Sequence, residues 1–415
     1  MPAMPRRIQS SIFLFTLLAA LAFTSSAAKK PFSVVEATIP EMQKALKEKR
    51  VTSRDLVVQY LTRIGLYEDR LHAAIVVNPN AIEEAEELDR ERARGKVRGP
   101  LHGIPIALKD IIQTTNMPTS GGALVFRNFV PPYEATLTKN LREAGAIIIA
   151  KTSLTELANW VAAGMPTNYN SISGFGMNPY DPRVDPRDTN IDGRPVLAPG
   201  GSSSGIGTSA NLWAANVGTE TSGSILNPSS ATMLVGIKPT VGRISRYGII
   251  PITADQDTAG PMAKSVTDAA ILLGVLESAQ PDPNDPATRR CMPPPQRDYT
   301  KFLKRDGLKG IRIGIPRRLR PEPSSMLIGE VTEILKQNGA VVVDPADIPS
   351  ALEESPEKNV FNWPICAGPG AGKGSDANCS SVFKYGMKRD FNRWLSTLDR
   401  KSTRLNSQSL AYLVC

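Results

Sequence analysis

The feature that most constrains this chain is the stretch 199–228, in which two clusters rich in serine and glycine bracket a short apolar run. The first cluster is Gly200, Gly201, Ser202, Ser203, Ser204 and Gly205. The second is Gly218, Thr219, Glu220, Thr221, Ser222, Gly223 and Ser224. Glycine lets a backbone bend sharply and aim its N–H groups into a cavity, and serine places a hydroxyl there. The combination suits a nucleophile beside an oxyanion hole. A flexible linker has a similar composition, but a linker has no use for Ala210, Leu212, Trp213, Ala214 and Ala215 in its middle, nor for Ile225 directly after it.

Upstream, Ile104, Ile106 and Leu108 alternate as in a strand, with Lys109 at its end. Taken alone, a lysine in that place reads as one that snorkels out to water. The chain has two histidines, His72 and His102. Neither sits in a nucleophile-elbow context, and Gly-x-Ser-x-Gly followed by a late histidine is absent. Both read as structural, and their scarcity favours a serine–lysine arrangement, one of the variants of triad logic.

At these residues the chain resembles the amidase signature family of serine hydrolases. The family pattern is a Gly-Gly-Ser-Ser-Gly loop, a helix, and then Gly-Thr-Asp-Thr-Gly-Gly-Ser-Ile, with a lysine at the end of an upstream strand. The resemblance covers roughly residues 35–395. It implies a single α/β domain with a mixed central sheet flanked by helices on both faces. It assigns Ser224 as nucleophile, Ser202 as a bridging serine after a cis peptide, and Lys109 as general base. Burial would lower the lysine pKa toward neutrality. Backbone N–H groups around Thr221, Ser222, Gly223 and Ser224 would hold the oxyanion. The segment 151–156 matches one that lines the family site.

Three departures from the pattern stand out. The spacing from Ser202 to Ser224 is slightly short, so the intervening helix must be trimmed, and Ser203 is the alternative for the bridging place. Ser222 replaces the first glycine of Gly-Gly-Ser. Glu220 and Leu226 replace an aspartate and a common arginine, so that support must be absent or built differently. Plant, fungal and secreted bacterial members look nearer here than the tRNA-dependent amidotransferases.

The composition, 41% hydrophobic and 21% charged over 415 residues, is that of a globular protein with ample core. The net charge of +9 is interspersed rather than clustered, which argues against a nucleic-acid partner. Arg6, Arg7, the apolar run 12–23 and Ser26-Ala27-Ala28 read as a signal peptide over 1–28, with an uncleaved anchor as the alternative. The expected location is therefore secreted or periplasmic, with no stable membrane association after cleavage. Cys366 and Cys379 are then candidates for a disulfide. Cysteine and histidine spacing fits no zinc site, and Gly368 to Lys373 fails the phosphate-loop spacing. Neither metal nor cofactor is expected.

Helices are expected near 38–46, 52–64, 80–94, 135–144, 266–276, 326–337 and 383–398. Strands are expected near 73–77, 103–109, 146–150, 311–315 and 340–343. Residues 168–199 read as a long loop and 281–295 as a proline-rich surface linker. The amidase domain is expected over 29–398, truncated at its C-terminus. Residues 399–415 resemble translated adapter sequence and are expected to be foreign.

The implied activity is hydrolysis of a small-molecule or peptide amide to an acid and ammonia or an amine, through an acyl-enzyme. Two alternatives are a component of an amidotransferase that works on charged tRNA and a catalytically silent binding protein. The sequence does not indicate the oligomeric state.

Overall fold

The structure, a computed structural model, describes residues 31–159, 165–189, 191–200, 205–319, 324–355, 358–359 and 381–398. Residues 1–28, the Cys366–Cys379 pair, the 368–373 loop and the 399–415 tail lie outside these.

Strands in chain order are β1 (Ala74–Val77), β2 (Pro105–Lys109), β3 (Ile147–Thr152), β4 (Tyr169–Asn170), β5 (Gly174–Phe175), β6 (Ala215–Glu220), β7 (Val235–Gly236), β8 (Thr258–Ala263), β9 (Arg312–Gly314) and β10 (Val341–Val343). Among the described residues, six of them form one mixed sheet in the order β1-β3-β2-β6-β8-β7. The strands β3, β2 and β6 are parallel; β1 and β8 run against them. Every residue of β2, β3, β6 and β8 is buried, as strands covered on both faces require. The carboxyl ends of the three parallel strands therefore share one edge of the sheet, where ligands of α/β proteins commonly bind, and β8 begins at that same edge.

The helices are α1 (Ile39–Lys47), α2 (Ser53–Leu71), α3 (Ala81–Ala93), α4 (Thr136–Glu143), α5 (Ile206–Ser209), α6 (Leu226–Ala231), α7 (Val266–Leu276), α8 (Ser324–Gln337), α9 (Pro349–Leu352) and α10 (Ser381–Ser396). Capping boxes open α1 at Thr38 with Glu41 and α2 at Thr52 with Asp55. The strongly apolar α7 packs against β8 and α4, and the Ile39 N–H donates to Asp268 of α7 at 2.9 Å, which ties α1 to it. The segments β9, α8 and β10 form the expected strand–helix–strand unit, with a parallel strand pair.

Four expectations are corrected. The run between the Ser/Gly clusters is only briefly helical, in α5, and continues as buried strand β6, so Gly218, Thr219 and Glu220 belong to the sheet rather than to a loop. Strand β8 likewise went unread. Both strands carry glycines that signal close packing: a Cβ on Gly218 would lie 2.8 Å from Met262 Sδ, and one on Gly260 would lie 2.1 Å from the Ile237 carbonyl oxygen. The long loop contains the small β4–β5 pair. Residues 281–295 are no free linker, because Asp282 accepts from Thr136 Oγ1 at 2.5 Å and Ser245 Oγ at 2.6 Å, and Asp285 pairs with Arg246.

Helix α5 leads out of the first Ser/Gly cluster and rests on Trp213, which is fully buried and donates from Nε1 to Thr208 Oγ1 at 2.9 Å. A Cβ on Gly207 would meet the Trp213 ring at 2.0 Å. Gly207→Ala should therefore destabilise the fold by about 1–3 kcal/mol; thermal unfolding followed by circular dichroism would register a melting temperature several degrees lower.

Candidate active site

Lys109 ends β2 with no exposed surface, in the register Lys109↔Thr152. Its Nζ donates to the Thr219 carbonyl oxygen of the neighbouring strand at 3.2 Å. Burial pushes its pKa down to about 7, while the charges of Asp257 and Glu220 oppose the fall. Each pH unit corresponds to about 1.4 kcal/mol, so charging this amine in the folded protein costs on the order of 5 kcal/mol. The reading of a lysine that escapes to water is excluded, and a neutral amine near neutral pH is able to accept a proton.

The second cluster forms the turn between β6 and α6. Gly223 turns it with φ of 84°, a conformation that glycine adopts without strain. The Glu220 carboxylate folds back along the turn, and its Oε2 accepts the N–H groups of Ile225 at 2.7 Å and Leu226 at 2.9 Å. Two charge-assisted hydrogen bonds from consecutive amides fix the chain directly after Ser224. The support in doubt at sequence level is thus built differently, from Glu220 to backbone, with Leu226 about half exposed. Among the described residues, the N–H groups of Ser222, Gly223 and Ser224 have no hydrogen-bond acceptor.

Lys109, Ser224 and Thr221 line one small cavity with Thr219, Asp257, Arg246, Ala158 and a wall of Ile111, Ile249, Ile250 and Ile252. Ser222, which is exposed, and Gly223 sit between Thr221 and Ser224 on the turn and do not line the cavity, and Ser202 lies outside the described residues. Asp257, which the sequence reading missed as a site residue, is buried beside the turn. Its Oδ1 accepts from Thr221 Oγ1 at 2.5 Å, and its Oδ2 accepts from the N–H groups of Ile252 and Thr253 at 2.9 and 3.0 Å. Burial pushes its carboxyl up to about 6, against these hydrogen bonds. Ala158 lies in a run of three left-handed residues, Leu157, Ala158 and Asn159, a local strain of the kind that gathers at functional sites.

The segment 151–156 does not line this cavity. Lys151 lies on the other face of the pleat, fully buried, with its Nζ 3.0 Å from Asp110 Oδ1 and 2.8 Å from Thr119 Oγ1. Burial lowers its pKa and Asp110 opposes the fall. Ser120 donates to the same carboxylate through both N–H and Oγ.

Both histidines sit in the scaffold. The Arg98 N–H donates to His102 Nδ1 at 3.3 Å, which leaves Nε2 to donate to the Leu88 carbonyl oxygen at 2.9 Å. His72 ends α2 in a left-handed conformation. Among the described residues, no group of three or more His, Cys, Asp or Glu is placed to share a metal ion.

The family model described as Amidase matches residues 55–400. The chain belongs to the amidase signature family. A probable amidase of Arabidopsis thaliana is 39% identical over 327 residues, which cover 77% of this chain and 60% of the relative. A putative amidase of Schizosaccharomyces pombe is 36% identical over 317 residues, 74% of this chain and 52% of the relative. A glutamyl-tRNA(Gln) amidotransferase chain of Thermosynechococcus vestitus is 38% identical over 314 residues, 74% of this chain and 60% of the relative. The crystal structure of native peptide amidase from Stenotrophomonas maltophilia superposes with a TM-score of 0.73 at 37% identity, covering 88% of this chain and 69% of that one. This amidase-family chain thus spans between 52% and 60% of the length of these curated relatives.

Two substitutions probe the site's construction. Glu220→Ala frees one buried and one part-buried amide and should lower stability by about 1–3 kcal/mol, with hydrogen exchange at Ile225 and Leu226 strongly accelerated. Glu220→Gln retains an acceptor oxygen and should preserve that protection. Lys109→Met should raise stability below pH 7. The lysine pKa is lower in the folded than in the unfolded chain, so its penalty is complete below about 7 and fades as pH rises toward 10.5. Melting temperatures across that range check the sign.

Proposed function

We propose that this chain is an amide hydrolase acting through Ser224 and Lys109. The observation that supports the reading most is a fully buried lysine, with its pKa near 7, lining the same small cavity as a half-buried serine on a glycine turn. Neutral Lys109 takes a proton that leaves Ser224 Oγ through the Ser202 hydroxyl. Ser224 Oγ then bonds to the amide carbonyl carbon. Negative charge on the carbonyl oxygen is held by the backbone N–H groups of Thr221, Ser222, Gly223 and Ser224. Collapse breaks the carbon–nitrogen bond, and the proton returns through Ser202 to the leaving nitrogen. Water, deprotonated by the same relay, releases the acid from the acyl-enzyme.

For the substrate, we propose an amide outside the cytosol, with C-terminally amidated peptides as the first class to try. The likeness to a peptide amidase and the apolar run 12–23 after Arg6-Arg7 support this choice. The similarity to a glutamyl-tRNA(Gln) amidotransferase chain keeps a second reading open, in which ammonia released at this site serves a partner. Partner chains that co-purify with the protein would favour it.

The decisive test needs no substrate. A fluorophosphonate should label Ser224, as located by peptide mass spectrometry, and Lys109→Ala should abolish the adduct while circular dichroism remains native. The labelling rate should rise with pH through about 7, because only the deprotonated amine serves as base. A folded protein that carries no adduct on Ser224 would overturn the reading.

A further inference from the structure

We propose that Asp257 is a positioning residue of this site, holding the Thr221 end of the nucleophile turn and fixing the proton affinity of Lys109 through its charge; the inference rests on the Ser224–Lys109 reading. The placement follows from the sheet. Antiparallel pairing of Glu220 with Thr258 brings the residue before β8 beside the residue after β6, so Asp257 meets Thr221. Three hydrogen bonds hold the carboxylate: one from the Thr221 hydroxyl and two from the backbone at Ile252 and Thr253. It has little freedom to turn, and it lines the cavity that Lys109 and Ser224 also line.

The other charges around Asp257 are matched by partners. From the loop before β8, Arg246 is bound by both oxygens of Asp285 and by the Ala254 carbonyl oxygen. From α10, Asp390 accepts the Ala254 N–H and pairs with Arg389, which also reaches Asp255, and Arg393 adds a positive charge near Asp390. From β6, Glu220 accepts its two amides, and its charge acts on Lys109 in the same sense as that of Asp257. Among the described residues, Asp257 and Lys109 are then the two buried ionisable groups that line the cavity and take part in no salt bridge.

The proposed reaction requires Lys109 in both protonation states: neutral to accept the serine proton, and cationic until the leaving nitrogen takes that proton back. Burial favours only the neutral state. A fixed carboxylate at the same cavity stabilises the transient ammonium, as the acid of a serine–histidine–acid triad does for imidazolium.

Asp257→Asn separates charge from shape. The asparagine Oδ1 can accept the two backbone N–H groups while its Nδ2 donates to Thr221 Oγ1, so the packing survives and the charge does not. The test is the pH profile of fluorophosphonate labelling at Ser224 in the full chain, for wild type, Asp257→Asn and Thr221→Val, with circular dichroism for each. Asp257→Asn should move the rising limb to lower pH by about one unit and slow labelling at least tenfold. Thr221→Val should slow labelling and leave the limb in place.

A second measurement uses the wild type alone. With 13C-ε lysine, the Lys109 resonance, assigned by its loss in Lys109→Met, should show two inflections, near pH 6 for Asp257 and near 7 for Lys109. A folded Asp257→Asn protein with the wild-type limb, or a single inflection in that titration, would overturn the electrostatic part. Wild-type labelling rates in Thr221→Val would overturn the positioning part. A wild type that never labels Ser224 would instead overturn the underlying Ser224–Lys109 reading.

Discussion

The site depends on the burial of one amine. Lys109 sits at the carboxyl end of the strand β2, with no exposed surface and one carbonyl oxygen within hydrogen-bond distance. Nothing about the sequence around it makes a lysine basic or acidic. The sheet does so, by burying every residue of β2 between β3 and β6. Isoleucines at 111, 249, 250 and 252 wall the cavity against water. Burial there disfavours the charged form of the amine, and Asp257 and Glu220 oppose that effect.

Around that amine the second Ser/Gly cluster is held at both ends by carboxylates. Glu220 grips the chain after Ser224 through two amides, and Asp257 grips Thr221 through its hydroxyl. The turn carrying Ser224 is therefore braced at its exit and its entry, while the N–H groups of Ser222, Gly223 and Ser224 face no acceptor among the described residues. A glycine-rich loop is mobile in isolation; here two buried acids restrain it.

Much of this was legible in the sequence because it is local. The alternation of Ile104, Ile106 and Leu108 marked β2, and apolar residues at helical spacing marked α1 and α2. What escaped was non-local. Asp257 reaches the site only through the β6–β8 register, and a single sequence does not display pairing between strands so far apart. The strands β6 and β8 were missed because Gly218 and Gly260 look like turn residues, although each is there to let neighbouring atoms approach closely. The stretch 281–295 was read as a linker from its prolines, whereas Asp282 and Asp285 decide its place by reaching into the core.

The adjacency of Lys109 and Asp110 has a further consequence. Consecutive residues at a strand end point to opposite faces, so the amine serves the cavity while the neighbouring carboxylate anchors Lys151 beneath the sheet. A one-residue slip of β2 exchanges the two faces. It would set a carboxylate against Ser224 and press two ammonium groups together on the far side, with no anion between them. Insertion or deletion of a single residue just before Lys109 would thus invert the electrostatics of both faces at once. The length of the segment from Gly103 to Lys109 is fixed as firmly as the identity of the lysine.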